Sequence, residues 1–210
     1  MTDQRATPDA SRRSQKSRKA VLTAAWDLVM EVGYTGLTIE GIAARAGVGK
    51  QTIYRWWPSK GAVLFDAFLE AEGDDGQPTA LPDSGHLEAD LKEVLRATVA
   101  EMNDPRYDEP MRALHIEILQ DPALAATTAE RWDDPRKERR KDRLRSAQDA
   151  GHLPEDLDLD VAIEMLWGPL LNRWLHNEPL TPEYADKVVE TALHGLRRSH
   201  PHDGQPEATP

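Results

Sequence analysis

The chain has 210 residues, a formal net charge of −11 and no cysteine. The lack of cysteine excludes disulfides and thiolate metal sites, and no apolar run reaches the roughly 20 residues that a membrane-spanning helix requires. The N-terminus also lacks the apolar segment of a signal peptide, so the sequence predicts a cytoplasmic protein with enough chain for one large domain or two small ones.

The negative charge is not spread evenly along the chain. Residues 1–60 contain 10 Lys and Arg against 5 Asp and Glu, which gives +5. Residues 61–210 contain 16 against 32, which gives −16. A basic end on an acidic body is typical of a protein that binds a polyanion with one end only.

The first predicted elements are an arm and a helix. Residues 1–12 are polar and without periodicity, which predicts a disordered arm, and a basic cluster from Arg12 to Lys19 follows. Phosphate contact and simple solvation are equally open for this cluster. Gly33 is expected to end the helix. The apolar residues of this first helix recur with the helical period and should cover the back of the next two helices. They are Val21, Ala24, Ala25, Leu28, Val29 and Val32.

Two short helices joined by a tight turn come next. The first is expected over Ile39–Ala46, with Thr38 as its N-cap and Gly47 supplying the left-handed backbone that ends it. The second starts near Lys50 and ends before Pro58. A small shared core is expected from Ile42, Ala46, Val48, Ile53 and Trp56, with Ala43 small enough for a close approach. This combination is the signature of a helix-turn-helix.

The polar face of the second helix predicts DNA contact. It carries Lys50, Gln51, Thr52, Tyr54 and Arg55. Such side chains bind phosphates and base edges, and an aromatic ring can lie against a thymine methyl group. A merely solvated charged face is the alternative. It leaves unexplained why so short a segment carries Tyr54, Trp56 and Trp57 near the surface.

From about Ser17 to Leu69 the sequence resembles the N-terminal domain of the TetR family of bacterial transcriptional regulators. The residues that carry the resemblance are Ala24-Ala25, Gly33-Tyr34, Leu37-Thr38, Ile42-Ala43, Ala46-Gly47-Val48, Ile53-Tyr54 and Ser59-Lys60. It implies an all-α protein of about nine helices, in which a three-helix DNA-binding domain precedes a larger ligand-binding and dimerisation domain. The expected boundaries are 1–12 for the arm, 13–60 for the DNA-binding domain, 61–198 for the helical body and 199–210 for a disordered tail.

The resemblance also implies roles for single residues. Positions that commonly contact phosphate or sugar in the family are matched by Thr38, Thr52, Tyr54, Trp56 and Lys60. Those that reach base edges are matched by Lys50, Gln51 and Tyr54, while Arg55 suits either role. The sequence departs from the family pattern at Glu40, where it lacks an arginine, so no base contact is implied from that position.

The middle of the chain is expected to be helical after a linker. After Pro58, Ser59 can cap a helix that runs to about Glu72 and connects the DNA-binding head to the rest of the chain. Gly73–Gly85 is rich in Gly, Pro and Asp, which predicts a linker. Beyond it, Pro110 and Asp121-Pro122 are expected helix starts.

The charged run Arg136–Arg145 (RKERRKDRLR) raises the question of a second nucleic-acid site. It mixes both signs within the helical period, which favours a solvated helix face.

The last two helices predict an interface between two copies of the chain. Asp160–Asn177 is apolar on nearly every side, so a partner as well as the protein's own core should cover it, and Pro169 should kink it. Thr181 and Pro182 start the final helix. The expected interface residues are Val161, Met165, Leu171, Trp174, Leu175, Ala185, Val188, Val189, Ala192, Leu193 and Leu196. A homodimer would present two recognition helices about 34 Å apart to a palindromic double-stranded DNA operator.

The resemblance further implies a small-molecule effector whose pocket lies in the helical body. Residues that could line it are Met111, Leu114, His115, Ile118, Trp132, Leu166, Trp167, Leu170 and Arg173. Ordinary core packing is the alternative for each of them. For His115 this means a satisfied core histidine, and for Arg173 a salt bridge.

Catalytic patterns are missing from the sequence. It has no P-loop, GxSxG, HExxH or dinucleotide-binding glycine pattern, and its histidines lack ligand spacing. We therefore expect neither an enzyme nor a metal or cofactor. A ligand-responsive repressor is the preferred interpretation. An activator, or an architectural DNA-binding protein without an effector, remains the alternative.

Overall fold

The computed structural model describes residues 8–72 and 80–196, with the backbone alone for residues 8–11 and 196. Every regular element in this part of the chain is a helix. In chain order these are α1 (Pro8–Gly36), α2 (Ile39–Ala46), α3 (Lys50–Tyr54), α4 (Lys60–Glu72), α5 (Leu87–Met102), α6 (Pro105–Gln120), α7 (Pro122–Thr128), α8 (Asp134–Asp149), α9 (Leu159–Leu175) and α10 (Pro182–Leu196). A π-helical turn, Ala129–Asp133, joins α7 to α8, so the described chain has nine separate helical segments. The all-α prediction is confirmed.

The first helix starts earlier than expected. α1 begins at Pro8, so residues 8–12, which we assigned to a disordered arm, are helical. Proline suits the first turn of a helix, and the Arg, Ala and Gln residues that follow favour one. Residues 1–7 of the arm, residues 73–79 of the linker and the tail from residue 199 lie outside the described residues. The helix is kinked at Gly33, whose φ of 69° suits glycine.

The described chain packs as two compact units. The first lies within residues 1–79 and 101–136, and the second within 80–100 and 137–210. This division differs from the predicted boundary after residue 60, because α4, α6 and α7 pack in the same unit as the helix-turn-helix. Helices that we assigned to the helical body therefore share a compact unit with the helix-turn-helix.

α4 is the centre of the first unit. Its residues from Val63 to Phe68 are buried without interruption, and α1, α6 and α7 all pack against the helix. Gly61 permits the closest of these contacts. A Cβ atom on this residue would lie 2.9 Å from Leu124 Cδ2 of α7 and 3.0 Å from Glu117 Oε2 of α6.

The two proline-based helix starts had different outcomes. α7 begins at Pro122 as predicted, after Asp121, whose carboxylate accepts hydrogen bonds from the first backbone N–H groups. The prediction for Pro110 is wrong. α6 begins at Pro105 behind the N-cap Asp104, which leaves Pro110 inside the helix.

The charged run in α8 is not simply a solvated face, which corrects that prediction. The Arg143 side chain is 3% exposed, and its Nη2 donates to Asp90 Oδ2 at 2.8 Å. The Arg140 guanidinium lies 4.2 Å from the centre of the Trp167 ring. Arginine can be buried where a carboxylate or an aromatic face offsets the loss of water. The run therefore supplies packing contacts of the second unit.

The second unit is held together by ion pairs as well as by its core. Between α5 and α10, Arg96 forms a two-pronged pair with Asp186 at 2.6 and 2.7 Å, and Lys92 contacts Glu190 at 2.8 Å. α9 packs against α10. Within the described residues, no helix is both long and apolar enough to cross a membrane.

Candidate nucleic-acid interface

The helix-turn-helix has the caps that the sequence predicts. The Thr38 hydroxyl oxygen accepts a hydrogen bond from the Gly41 N–H at 3.0 Å. Gly47 has φ 67° and ψ 34°, the left-handed geometry that ends α2. The Val48 N–H then donates to Ala43 O at 3.0 Å, which closes the turn. α3 therefore leaves the turn in a direction fixed by local hydrogen bonds.

The small core beneath the two helices differs from the prediction, since Ala46, Val48 and Trp56 are only half-buried. Ile42 and Ile53 are fully buried as expected. Trp57 is buried too, whereas Trp56, which we assigned to this core, is half-buried. The indole Nε1 of Trp57 donates to Asp66 Oδ2 at 2.8 Å, so its polar group is paired inside. Trp57 is therefore an anchor of α3, not a surface residue.

The predicted DNA-contacting residues lie together on the outer side of this unit. Lys50, Gln51, Tyr54 and Arg55 are exposed, and Thr52 is half-buried. The Arg55 guanidinium lies 5.2 Å from the centre of the Trp56 ring. These side chains offer a cation, an amide, a phenol and a guanidinium on one short helix and its C-cap. Such groups suit both base edges and phosphates.

Lys60, the first residue of α4, is held by Tyr34 of α1. Its Nζ donates to the Tyr34 backbone carbonyl at 3.2 Å and lies 3.8 Å from the centre of the Tyr34 ring. The side chain is half-buried. The ammonium group is therefore oriented by the protein before any partner binds.

The basic N-terminal cluster lies beside α3. Arg13 and Ser17 of α1 line a groove of about 440 Å³ together with Thr52, Arg55 and Trp56. Arginine and hydroxyl groups around a groove suit a phosphate chain. The structure thus brings part of the cluster to the same face, whereas Arg18 turns inward to Asp66.

Two carboxylates sit among the cations of this face. Glu40 Oε1 accepts from Lys50 Nζ at 2.8 Å, and both side chains are exposed. This hydrogen bond raises the pKa of Lys50 and lowers the pKa of Glu40. Glu31 accepts two hydrogen bonds from the Arg45 guanidinium at 2.6 and 2.7 Å. The cations of the motif are therefore partly neutralised by the protein itself.

Asp66 in α4 is the residue that sequence reasoning missed. Its carboxylate accepts hydrogen bonds from Trp57 at 2.8 Å, from Arg18 of α1 at 2.6 Å and from Arg131 of the π turn at 2.7 Å. Burial alone would raise the pKa of Asp66, but these three donors hold it below its usual value. A single acid inside the apolar run Val63–Phe68 was the available signal. Such an acid must find partners.

Comparison with known families decides the identity of the chain. Residues 21–67 match the family described as bacterial regulatory proteins, tetR family, and residues 81–192 match the tetracyclin repressor-like C-terminal domain. The chain belongs to the TetR family of bacterial transcriptional regulators.

Relatives of this TetR-family protein match it along most of its length. It is 33% identical to the HTH-type transcriptional regulator YdeS of Bacillus subtilis, over 88% of this chain and 92% of the relative. It is 27% identical to the DNA-binding transcriptional repressor TetR of Mycobacteroides abscessus, over 86% and 94% of the two chains.

Solved structures are also similar to this protein along most of its length. The TetR family transcription regulator SCO0332 superposes with a TM-score of 0.68 at 32% identity, covering 87% of this chain and all of the other. The flavonoid-responsive regulator FrrA gives a TM-score of 0.61 at 25% identity, covering 87% and 95%. The likeness therefore includes both the DNA-binding and the C-terminal part.

The predicted effector-pocket residues of this TetR-family protein are divided between the two units. Met111, Leu114, His115, Ile118 and Trp132 belong to the first unit, and Leu166, Trp167, Leu170 and Arg173 to the second. Met111, Leu114, Trp132, Leu166, Trp167 and Leu170 are buried. Trp132 packs edge-on against Phe68, with ring centres 4.5 Å apart. Their burial agrees with the packing alternative, and a role in an effector pocket stays a prediction.

The two polar candidates also have structural partners. A hydrogen bond of 3.0 Å joins His115 Nδ1 to the Met111 carbonyl of its own helix. The Arg173 guanidinium lies 3.8 Å from the centre of the Tyr184 ring, and its Nη1 donates to Pro179 O at 2.8 Å. Arg173 thus fastens the connection between α9 and α10.

The predicted interface residues fall into two groups. Val161, Met165, Leu171 and Leu175 are exposed on one face of α9. Six others are largely buried within their own chain, although Val188 and Ala192 also line an open groove beside Met165, so the place of these residues in an interface stays a prediction: Trp174, Ala185, Val188, Val189, Ala192 and Leu193. The Leu196 side chain lies outside the described residues. The opposite face of α9 is also apolar and buried, so the helix has two apolar sides, as its sequence predicts.

Proposed function

We propose that this TetR-family regulator represses transcription by binding a palindromic operator as a homodimer, and that a small molecule releases it. The observation that carries the DNA-binding part is the exposure of Lys50, Gln51, Tyr54 and Arg55 on α3, whose Ile53 is fully buried. A short helix with one side in the core and donors on the other fits the major groove.

The residues around α3 support a phosphate-contacting frame for that helix. We assign phosphate or sugar contacts to Thr38, Thr52, Trp56 and Lys60, because they match positions that commonly contact phosphate or sugar in the family; Thr52 and Trp56 also line a groove with Arg55. Lys60 is already held by Tyr34. Contacts to phosphate fix the register of a protein on the duplex, and base contacts then select the sequence. Lys50, Gln51 and Tyr54 are the proposed base readers.

A homodimer follows from the small size of the reading element. α3 has five residues, and one such helix covers too few base pairs for a unique site in a genome. The exposed apolar side chains Val161, Met165, Leu171 and Leu175 of α9 give the proposed dimer its contact surface. Two copies related by a twofold axis would then require a palindromic operator.

An effector is proposed from the second half of the chain. Residues 81–192 match the tetracyclin repressor-like C-terminal domain, and FrrA, 25% identical over nearly the whole chain, is a flavonoid-responsive regulator. We propose that the effector binds in the helical body and favours a conformation with lower operator affinity. The protein then acts by binding rather than catalysis, in the cytoplasm where bacterial operators lie.

The DNA-binding proposal is tested by selecting sites from a random DNA library with the purified protein. We expect a palindromic consensus. Lys50→Ala should then lower the affinity for the consensus site by about tenfold or more, since a good base contact contributes about 1–3 kcal/mol. The affinity for random DNA should change little. Arg106→Ala, at an arginine of α6 that is 80% exposed, is the control and should change neither affinity. Failure to enrich any sequence would reject the proposal.

The effector proposal is tested separately. A screen of small apolar compounds by thermal shift should find one that raises the unfolding midpoint with its concentration. The same compound should weaken operator binding measured by fluorescence anisotropy. A compound that stabilises the protein without changing DNA affinity would instead favour an effector-independent regulator.

A further inference from the structure

A carboxylate lies where the proposed DNA-binding face should be cationic. Glu40 is in the first turn of α2 and Lys50 is the first residue of α3, and the two side chains meet across the turn at 2.8 Å. They are 66% and 53% exposed, so the protein core does not require the contact. An acid in a first helical turn also interacts well with the helix dipole. That role alone does not need Lys50 as a partner.

We propose that Glu40 is a specificity-determining residue that acts through Lys50, holding its ammonium group toward base edges and away from the phosphates. The inference rests on the proposed function, because it assumes that α3 reads DNA. Glu40 is thus a positioning residue, and Lys50 is the group that touches the base.

The Glu40 carboxylate has a cost for DNA binding. Every carboxylate on this face repels the phosphate chain and lowers affinity for all sequences alike. Any advantage of Glu40 must therefore lie in a larger difference in affinity between the operator and other DNA sequences. Specificity gained by weakening the wrong complex is a general device of selective binding.

The chemistry of lysine explains why it needs such a partner. Its ammonium group is a point charge on a flexible four-carbon chain, with three N–H donors. An unrestrained lysine reaches the nearest phosphate whatever the sequence. When Glu40 accepts one of the N–H groups, the stem is ordered before binding and the other donors can meet the N7 and O6 acceptors of guanine. The expected preference is therefore for guanine beneath Lys50.

Glu40→Gln tests the inference, since it keeps the size of the side chain and removes its charge. Random DNA should be bound about three- to tenfold more tightly, and the salt slope of that binding should steepen by about 0.9 because Lys50 gains a phosphate. The ratio of operator to random affinity should fall about tenfold. Glu88→Gln is the matched control. It removes the same charge at another 2.8 Å contact with lysine, on α5, and should change neither quantity.

A double variant decides whether Glu40 works through Lys50. In the Lys50→Ala background, Glu40→Gln should leave the specificity ratio and the salt slope unchanged, because the group it positions is gone. If Glu40→Gln still changes them there, or changes nothing in the wild-type background, the inference is wrong although the proposed function stands. A wild type without any sequence preference would overturn both. Equal unfolding midpoints for all variants would show that the fold is not the cause.

Discussion

Replacement of Asp66 by alanine should destabilise the fold by more than the loss of its two half-exposed arginine partners alone would explain. The variant leaves the buried Trp57 indole N–H without an acceptor, which costs about 1–3 kcal/mol. Arg18 and Arg131 each lose an ion pair, but both side chains are 44% exposed and regain water. Half-exposed pairs of this kind contribute up to about 1 kcal/mol each. The expected loss of unfolding free energy is therefore about 2–4 kcal/mol.

Urea unfolding followed by circular dichroism measures this loss. The matched control is Asp186→Ala, which removes a carboxylate that also accepts two hydrogen bonds from arginine but is 25% exposed and has no buried donor. It should cost clearly less stability than Asp66→Ala, since ion pairs in contact with solvent contribute little. If the two variants lose the same stability, the buried indole contact does not carry the effect and the reasoning is refuted.

The stability that the Asp66 carboxylate contributes should depend on pH. The pKa of Asp66 is lowered in the folded protein, since its three donors outweigh the effect of burial. The ionised carboxylate therefore stabilises the fold fully above its unfolded pKa of about 3.9, and this contribution is lost as the pH falls through the lowered folded value. The stability difference between wild type and Asp66→Ala should shrink below about pH 4. A difference that stays constant down to pH 2 would contradict this account.

Three further changes test other parts of the molecule. Met165→Glu places a charge on the exposed face of α9 and should give monomers in light scattering, with circular dichroism unchanged; an intact dimer would remove that face from the proposal. Gly61→Ala should lower the unfolding free energy by about 1 kcal/mol, because its Cβ would press on Leu124 at 2.9 Å, whereas a gain would show free space between α4 and α7. Arg143→Met leaves Asp90 buried without its cation and should cost about 3–5 kcal/mol in urea unfolding, and a loss below about 1 kcal/mol would mean that water replaces the guanidinium.

Features that depend on neighbouring residues were predictable from the sequence. The Thr38 cap, the left-handed Gly47 and the start of α7 at Pro122 each require only residues within one helical turn. The helical period likewise placed Ile42 and Ile53 in the core. Local sequence was enough to find the helix-turn-helix because its geometry is set locally.

Features that depend on distant partners were not predictable. Asp66 meets Arg18 from 48 residues away and Arg131 from 65, and Asp90 meets Arg143 from 53. A single sequence does not show which acid finds which cation. The choice between the adjacent residues Trp56 and Trp57 as the core residue failed for the same reason, because it depends on the position of Asp66.

Arg131 links the π turn to Asp66 inside the first unit. It lies in the π turn that runs directly into α8, and α8 passes from the first unit into the second after Arg136. A π turn carries an extra residue per turn and tends to mark functional positions in helices. A shift of this π turn within the first unit would change the Arg131–Asp66 distance. Since Asp66 also holds Trp57 at the end of the α3 segment, such a change would reach the proposed DNA-reading helix through two hydrogen bonds.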